Sequence, residues 1–163
     1  MTLHARLVLE DCRAALAELT DDLSYDVWRR RWFTVIAMLV TTRDVVKRVD
    51  ANADPDVKRA NDKVFLELQQ RPMWRDFIAG KGKAYGYRDE LVHRYQLGVN
   101  RSVTIGVPSN LVDPVTGVNF HTMLGGSQAG RPCKEVAADL LACLDWYVDE
   151  VERRSQPTSV KGI

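Results

Sequence analysis

The stretch Tyr25-Asp-Val-Trp28-Arg-Arg-Arg-Trp32-Phe-Thr-Val35-Ile-Ala-Met-Leu39-Val-Thr-Thr42-Arg-Asp-Val-Val46-Lys-Arg-Val49 decides the fold class. Its core candidates Tyr25, Trp28, Trp32, Val35, Leu39, Thr42, Val46 and Val49 step by three and four, the interval that returns a side chain to one face of an α-helix. A strand would alternate by two, so the spacing predicts one long amphipathic helix. Its most apolar part, Trp32 to Val40, is about half of the roughly 20 residues a membrane span requires and is bracketed by Arg31 and Arg43. No membrane partner is expected.

Working outward, the same step recurs on both sides. Upstream, Ala5, Val8, Cys12, Ala15 and Leu19 mark a helix within Leu3 to Leu19. Downstream, Asp54-Pro55 supplies a capping side chain followed by a proline at a position whose N–H has no helical partner, and Val57, Ala60, Val64 and Leu68 continue the step. Pro72 reorganises the chain without ending its helical character, since Met73, Trp74, Phe77 and Ile78 keep the spacing until Gly80-Lys81-Gly82. Helix is expected again from about Tyr87 to Leu97, closed by Gly98, and last over Val136, Leu140, Cys143, Leu144, Tyr147 and Val151 after Pro132.

Between the last two helices the composition changes. Arg101-Ser-Val-Thr-Ile-Gly-Val107 and Val118 to Leu124 read as strands separated by the turn formers Asn110, Asp113-Pro114 and Gly117. The expected architecture is mainly α: an antiparallel four- to five-helix bundle with a β-hairpin insertion (about 100–124) before the last helix. It forms one domain over 1–154, with a flexible tail at 155–163.

Composition narrows function mainly by exclusion. In 163 residues, 23 Lys and Arg nearly cancel 22 Asp and Glu, so no global field announces nucleic acid or membrane as a partner. Cys12, Cys133 and Cys143 form an odd set without CxxC, which suits buried thiols in a reducing compartment, and an early Glu10-Asp11 argues against a signal peptide. The expected location is cytoplasmic. No metal site and no cofactor are expected: there is no HxxxH pair, and Gly125-Gly-Ser-Gln-Ala-Gly130 lacks the Lys and Ser/Thr ending of a phosphate-binding loop. Arg29-Arg30-Arg31 between Trp28 and Trp32 resembles a basic, aromatic nucleic-acid patch, but tryptophans at those positions belong to the apolar stripe.

Chemistry concentrates in Tyr87-Arg88-Asp89-Glu90-Leu91-Val92-His93-Arg94-Tyr95. From 81 to 101, Lys81, Lys83, Arg88, Arg94 and Arg101 stand against Asp89 and Glu90, a local basic excess suited to a phosphate-bearing partner. His93 can move a proton near neutral pH, and Arg88 can hold charge building on phosphorus through its fork of donors. Residues five apart on a straight helix sit about 140° apart, so the two meet at a helix start, a kink or a contact between chains. The same residues allow a plainer reading: Asp89 and Glu90, four and three residues before His93, can pair with its imidazole and make it a structural group.

Arg88-x4-His93 followed by Arg94-Tyr95, late in a helical chain, resembles the HEPN superfamily, whose signature is Arg-x(4 to 6)-His. The resemblance implies a helical bundle over residues 1 to 98 and 132 to 154. It implies a homodimer, formed through helices near the motif, that composes one cleft from two motifs. It also implies metal-independent cleavage of RNA to 2′,3′-cyclic phosphate ends, in toxin–antitoxin, phage-defence or RNA-processing settings. Arg88 and His93 would be catalytic, with Lys81, Lys83, Arg94, Tyr95 and Arg101 as substrate contacts. The alternative is a non-catalytic interaction or nucleic-acid-binding module of the same fold, with a partner protein.

Overall fold

The computed structural model describes residues 2–20, 22–77, 99–101, 121–123, 128 and 130–156. The chain is mainly helical, and its described helices share one apolar core. Helix α1 (His4–Ala17) is followed by α2 (Tyr25–Val45), a π-helical turn over Val46–Asp50, α3 (Ala51–Ala53), α4 (Pro55–Leu68), α5 (Pro72–Phe77) and, after two short strands, α6 (Cys133–Ser155). Ser155, assigned by sequence to the tail, still belongs to α6, and 157–163 lie outside the described residues.

The stripe read in α2 is its buried face. Trp28, Trp32, Val35, Leu39 and Thr42 are buried, and the two indoles stack at 5.5 Å between centroids. The Cys12 thiol lies 3.8 Å from the Val35 carbonyl, and Arg31 bonds the Glu18 carbonyl at 2.6 Å, so α1 and α2 run in opposite directions along each other. Arg6 reaches Asp149 and Glu152 while Arg13 reaches Asp145, which sets α1 against α6 in the opposite sense as well.

One expectation fails at the end of this long helix. The three-and-four step puts Val49 on the apolar stripe, yet it is 45% exposed, and Asp50 beside it is 3% exposed. The cause is the π turn: its wider i→i+5 winding brings the fourth residue after Val46, rather than the third, back to the core side. The buried carboxylate then meets α1 end on. Asp50 Oδ1 accepts from the His4 backbone N–H at 2.9 Å, Oδ2 accepts from Ala5 N–H at 3.2 Å, and His4 Nδ1 lies 2.9 Å from Oδ1. Leu3 N–H donates to Glu152 Oε1 at 3.0 Å. No side chain at the start of α1 caps its own helix, so carboxylates from two distant elements satisfy N–H groups that a helix start leaves without partners.

The capping signal at α4 is met where the sequence put it: Asp54 Oδ1 accepts from Asp56 N–H at 2.7 Å and Val57 N–H at 3.4 Å, with Pro55 opening the helix. Pro72 likewise opens α5 after the turn at Gln69–Arg71, a position where a missing N–H is harmless. On α4, buried Asn61 accepts a hydrogen bond from the buried Tyr147 hydroxyl of α6. At the entrance to α6, Gly130 takes φ of 79°, a left-handed conformation that side-chain-bearing residues rarely adopt.

Strands β1 (Val99–Arg101) and β2 (His121–Met123) pair antiparallel, with Arg101 opposite His121. The pairing is confined to three residues on each side and begins before the expected first strand. Residues 102–120, which would carry the rest of the expected hairpin, lie outside the described residues.

Asp50→Ala should lower stability by about 2–4 kcal/mol, the loss of a helix cap together with the stranding of partly buried N–H donors. Val49→Ala should change it by less than about 0.5 kcal/mol. Urea unfolding of the two variants checks the exchange of positions; a larger loss for Val49→Ala would show that the π turn is absent in solution.

Candidate functional site

Six of the seven candidate residues, Lys81, Lys83, Arg88, His93, Arg94 and Tyr95, lie outside the described residues. The seventh, Arg101, ends β1 opposite His121. What is described is the frame on either side of them. Before the motif, α5 packs on α6: Trp74 is buried, its ring meets Phe65 edge-on at 6.1 Å, and the Arg71 guanidinium stacks over the Trp146 ring at 3.4 Å. After it, β1 pairs with β2, which also touches α6. The described chain therefore meets α6 through α5 before the motif and through β2 after it.

Other positions singled out by sequence are placed directly. Trp28 and Trp32 are both 1% exposed and stacked on each other, so neither ring is available to a nucleic-acid base, and Arg31 is spent on the Glu18 carbonyl. The arginine-tryptophan run is thus a core stripe with a polar back. His4, near the start of the chain, has an exposed ring whose Nδ1 nonetheless meets buried Asp50. Among the described residues, no group of three His, Cys, Asp or Glu side chains is arranged to hold a metal ion. No described helix is long and apolar enough to cross a membrane.

The acidic residues of α6 look, in sequence, like an open negative face. In the fold they are matched one by one. Asp145, Asp149 and Glu152 meet Arg13 and Arg6 from α1, and Asp139 meets Arg131 at 2.7 Å. Glu150 is gripped by Arg153 (2.7 Å) and Arg154 (2.9 Å), and Arg154 also forks onto Glu67 of α4. This face staples α6 to α1 and α4 and offers little field to a cationic partner.

An open groove of about 420 Å³ lies between the end of α1 and the start of α6, floored by Leu16, Ala138 and Leu141 and edged by Arg13, Lys134 and Glu135. It holds no nucleophile beside a base, so it offers no group-transfer chemistry. The cysteines are equally inert. Burial pushes the Cys133 thiol up to about 12 and the Cys12 thiol to about 11, and raises Cys143 as well, which keeps the nucleophilic thiolate scarce.

Sequence reasoning missed the two buried polar arrangements, Asp50 under α1 and Asn61 with Tyr147. Periodicity alone makes Tyr147 an apolar-stripe residue, but burial pushes its hydroxyl pKa well above the usual range, so it serves as a neutral donor. No local signal marks either pair, because each partner lies on a separate element.

Thiol titration with an aromatic disulfide at mildly alkaline pH should find no fast-reacting cysteine among Cys12, Cys133 and Cys143 in the native protein and all three after denaturation. Hydrogen bonds from Arg153 and then Arg154 hold the Glu150 carboxyl down at about 2, against an ordinary 4.5. Because the folded value is the lower one, its stabilising contribution is complete above pH 4.5 and is lost as pH falls toward 2. Carboxyl-resolved NMR titration should show this midpoint, and Arg153→Ala should move it upward. Compared with known proteins, the chain matches no protein-family model, no curated protein and no solved structure.

Proposed function

We propose that the chain is a HEPN-like, metal-independent endoribonuclease that leaves 2′,3′-cyclic phosphate ends and acts as a cytoplasmic homodimer. The observation that carries this reading is Arg88-x4-His93, set among Lys81, Lys83, Arg94 and Arg101 in a mainly helical chain. The finer architecture that goes with it is an antiparallel bundle with a β-hairpin inserted at about 100–124. The anchoring of α5 and β2 on α6 supports the reading in one respect: it gives the intervening motif segment fixed ends, which a positioned acid–base pair requires.

The chemistry follows from residue types. His93 removes the proton of a ribose 2′-hydroxyl, the 2′-oxygen forms a bond to phosphorus, and the bond from phosphorus to the 5′-oxygen breaks. The leaving 5′-oxygen takes a proton from a second imidazole, which two chains supply together. Arg88 donates to the non-bridging oxygens as negative charge builds on them. Lys81, Lys83, Arg94 and Arg101 hold neighbouring phosphates, and Tyr95 offers a ring for stacking or a hydroxyl for positioning. Such an activity suits a toxin–antitoxin or phage-defence role.

A second reading rests on Asp89 and Glu90, whose carboxylates sit four and three residues before His93 and can hold its ring in a purely structural pair. One assay separates the two. Purified wild type with EDTA should cut a mixed-sequence single-stranded RNA and leave cyclic phosphate ends. His93→Ala should lose roughly 10²–10⁴-fold in rate, and Arg88→Ala roughly 10²–10³-fold, at nearly unchanged unfolding midpoints. No cleavage by wild type, together with a loss of stability in His93→Ala, would leave the structural pair as the role of the motif.

A further inference from the structure

Charge is nearly balanced over the whole chain but unevenly shared among its helices. Residues 25–49, which cover α2 and most of the π turn, hold Arg29, Arg30, Arg31, Arg43, Lys47 and Arg48 against Asp26 and Asp44. Helices α1 and α4 are balanced, and α6 has more acids than bases. The next acid in the chain, Asp50, is buried and taken up by the start of α1, so it does not answer the excess. Among the described long helices, α2 is therefore the basic one.

The excess is ordered along the helix. Arg30, Thr34, Ala37, Thr41, Asp44 and Arg48 step by four and three and so follow one side. All are exposed except Asp44, which is about one-third exposed and is held by Arg43 at 2.6 Å. Lys47 beside Arg48 and Phe33 beside Thr34 are exposed as well. Each end carries a surplus of positive charge: Arg29, Arg30 and Arg31 over Asp26 at one, and Arg43, Lys47 and Arg48 over Asp44 at the other. Residues 32–42 between them include no charged side chain. Arg31 lies against Glu18 and Arg43 against Asp44, but Arg30, Lys47 and Arg48 meet no acid among the described residues. At 1.5 Å per helical residue, Arg30 and Lys47 stand about 25 Å apart.

Two basic ends joined by an uncharged strip suit a partner that is negative along its whole length and narrow enough to follow one helix. A polynucleotide strand carries a phosphate at every residue, so it meets both ends in any register, and no acid in the middle repels it. Phe33, more than one-third exposed, offers a ring to one of its bases. An anionic membrane would call for several apolar side chains on the same strip, and Phe33 is the one large apolar side chain exposed there.

We propose that this side of α2 is a track for single-stranded nucleic acid, whose phosphates engage Arg30 at one end and Lys47 and Arg48 at the other, with a base against Phe33. The track lies on a different element from Lys81 to Arg101 and does not rest on the ribonuclease reading, because its argument uses no residue of the motif.

Fluorescence anisotropy of the full chain with a labelled oligothymidylate of about 20 nucleotides tests it. This probe has no 2′-hydroxyl, so it reports binding whether or not the chain cuts RNA. Wild type should bind it, more weakly as salt rises. Replacing the three exposed cations together (Arg30→Ala, Lys47→Ala, Arg48→Ala) should cost roughly tenfold or more in affinity at low salt and lower the slope of log affinity against log salt by about 2. Phe33→Ala should cost roughly fivefold. A control that removes as many charges from α4 (Lys58→Ala, Arg59→Ala, Lys63→Ala) should bind as wild type does. The proposal is overturned if wild type leaves the oligonucleotide free, or binds vesicles of phosphatidylglycerol and phosphatidylcholine instead. It is overturned equally if the α2 triple variant or Phe33→Ala binds like wild type, or if the α4 control loses as much as the α2 variant. Absence of RNA cleavage leaves it standing, so the two proposals fail separately.

Discussion

A carboxylate buried where two helices meet is the constraint on which the rest of this structure depends. Asp50 sits at 3% exposure and holds the first backbone N–H groups of α1, doing for that helix what a capping residue in its own sequence would otherwise do. A buried carboxylate without partners is costly, and a buried helix start without acceptors is costly too; each removes the other's cost. The arrangement requires the π turn at Val46–Asp50, because only the wider winding turns Asp50 inward while releasing Val49 to solvent. Once α1 is held there, Glu152 takes the Leu3 N–H, and Arg6 closes onto Asp149 and Glu152, so that one junction ties α1, the end of α2 and α6 together.

The second buried polar contact, Tyr147 with Asn61, does the same for α4 and α6. Both junctions involve α6, which also receives α5 through Arg71 on Trp146 and touches β2. The last helix is therefore the element against which α1, α2, α4, α5 and β2 are all placed.

The electrostatic design follows from the same organisation. A chain with nearly balanced charge could still carry opposed fields on two faces, but the acids of α6 meet arginines from α1, from Arg131 just before α6 and from α6 itself. Pairs of this kind contribute little each to stability and much to register, since they work only when the helices sit at one alignment.

The sequence by itself determined the class of fold, the position of α4's cap at Asp54, the opening of helices at Pro55 and Pro72, and the identity of most of the core, because these depend on local periodicity and local capping chemistry. The stripe Trp28, Trp32, Val35, Leu39, Thr42 and Val46 was legible for that reason. The candidate site was legible only as a composition and a spacing, Arg88-x4-His93 among basic neighbours, and all of it but Arg101 lies outside the described part of the chain. Only the tertiary structure decided that Val49 faces water and Asp50 the core and that the α6 acids are neutralised. The physical reason is common to all of these. A helix start satisfied by a residue dozens of positions away, or an ion pair across two helices, leaves no trace in any local window, since its energy arises only when the elements are brought together.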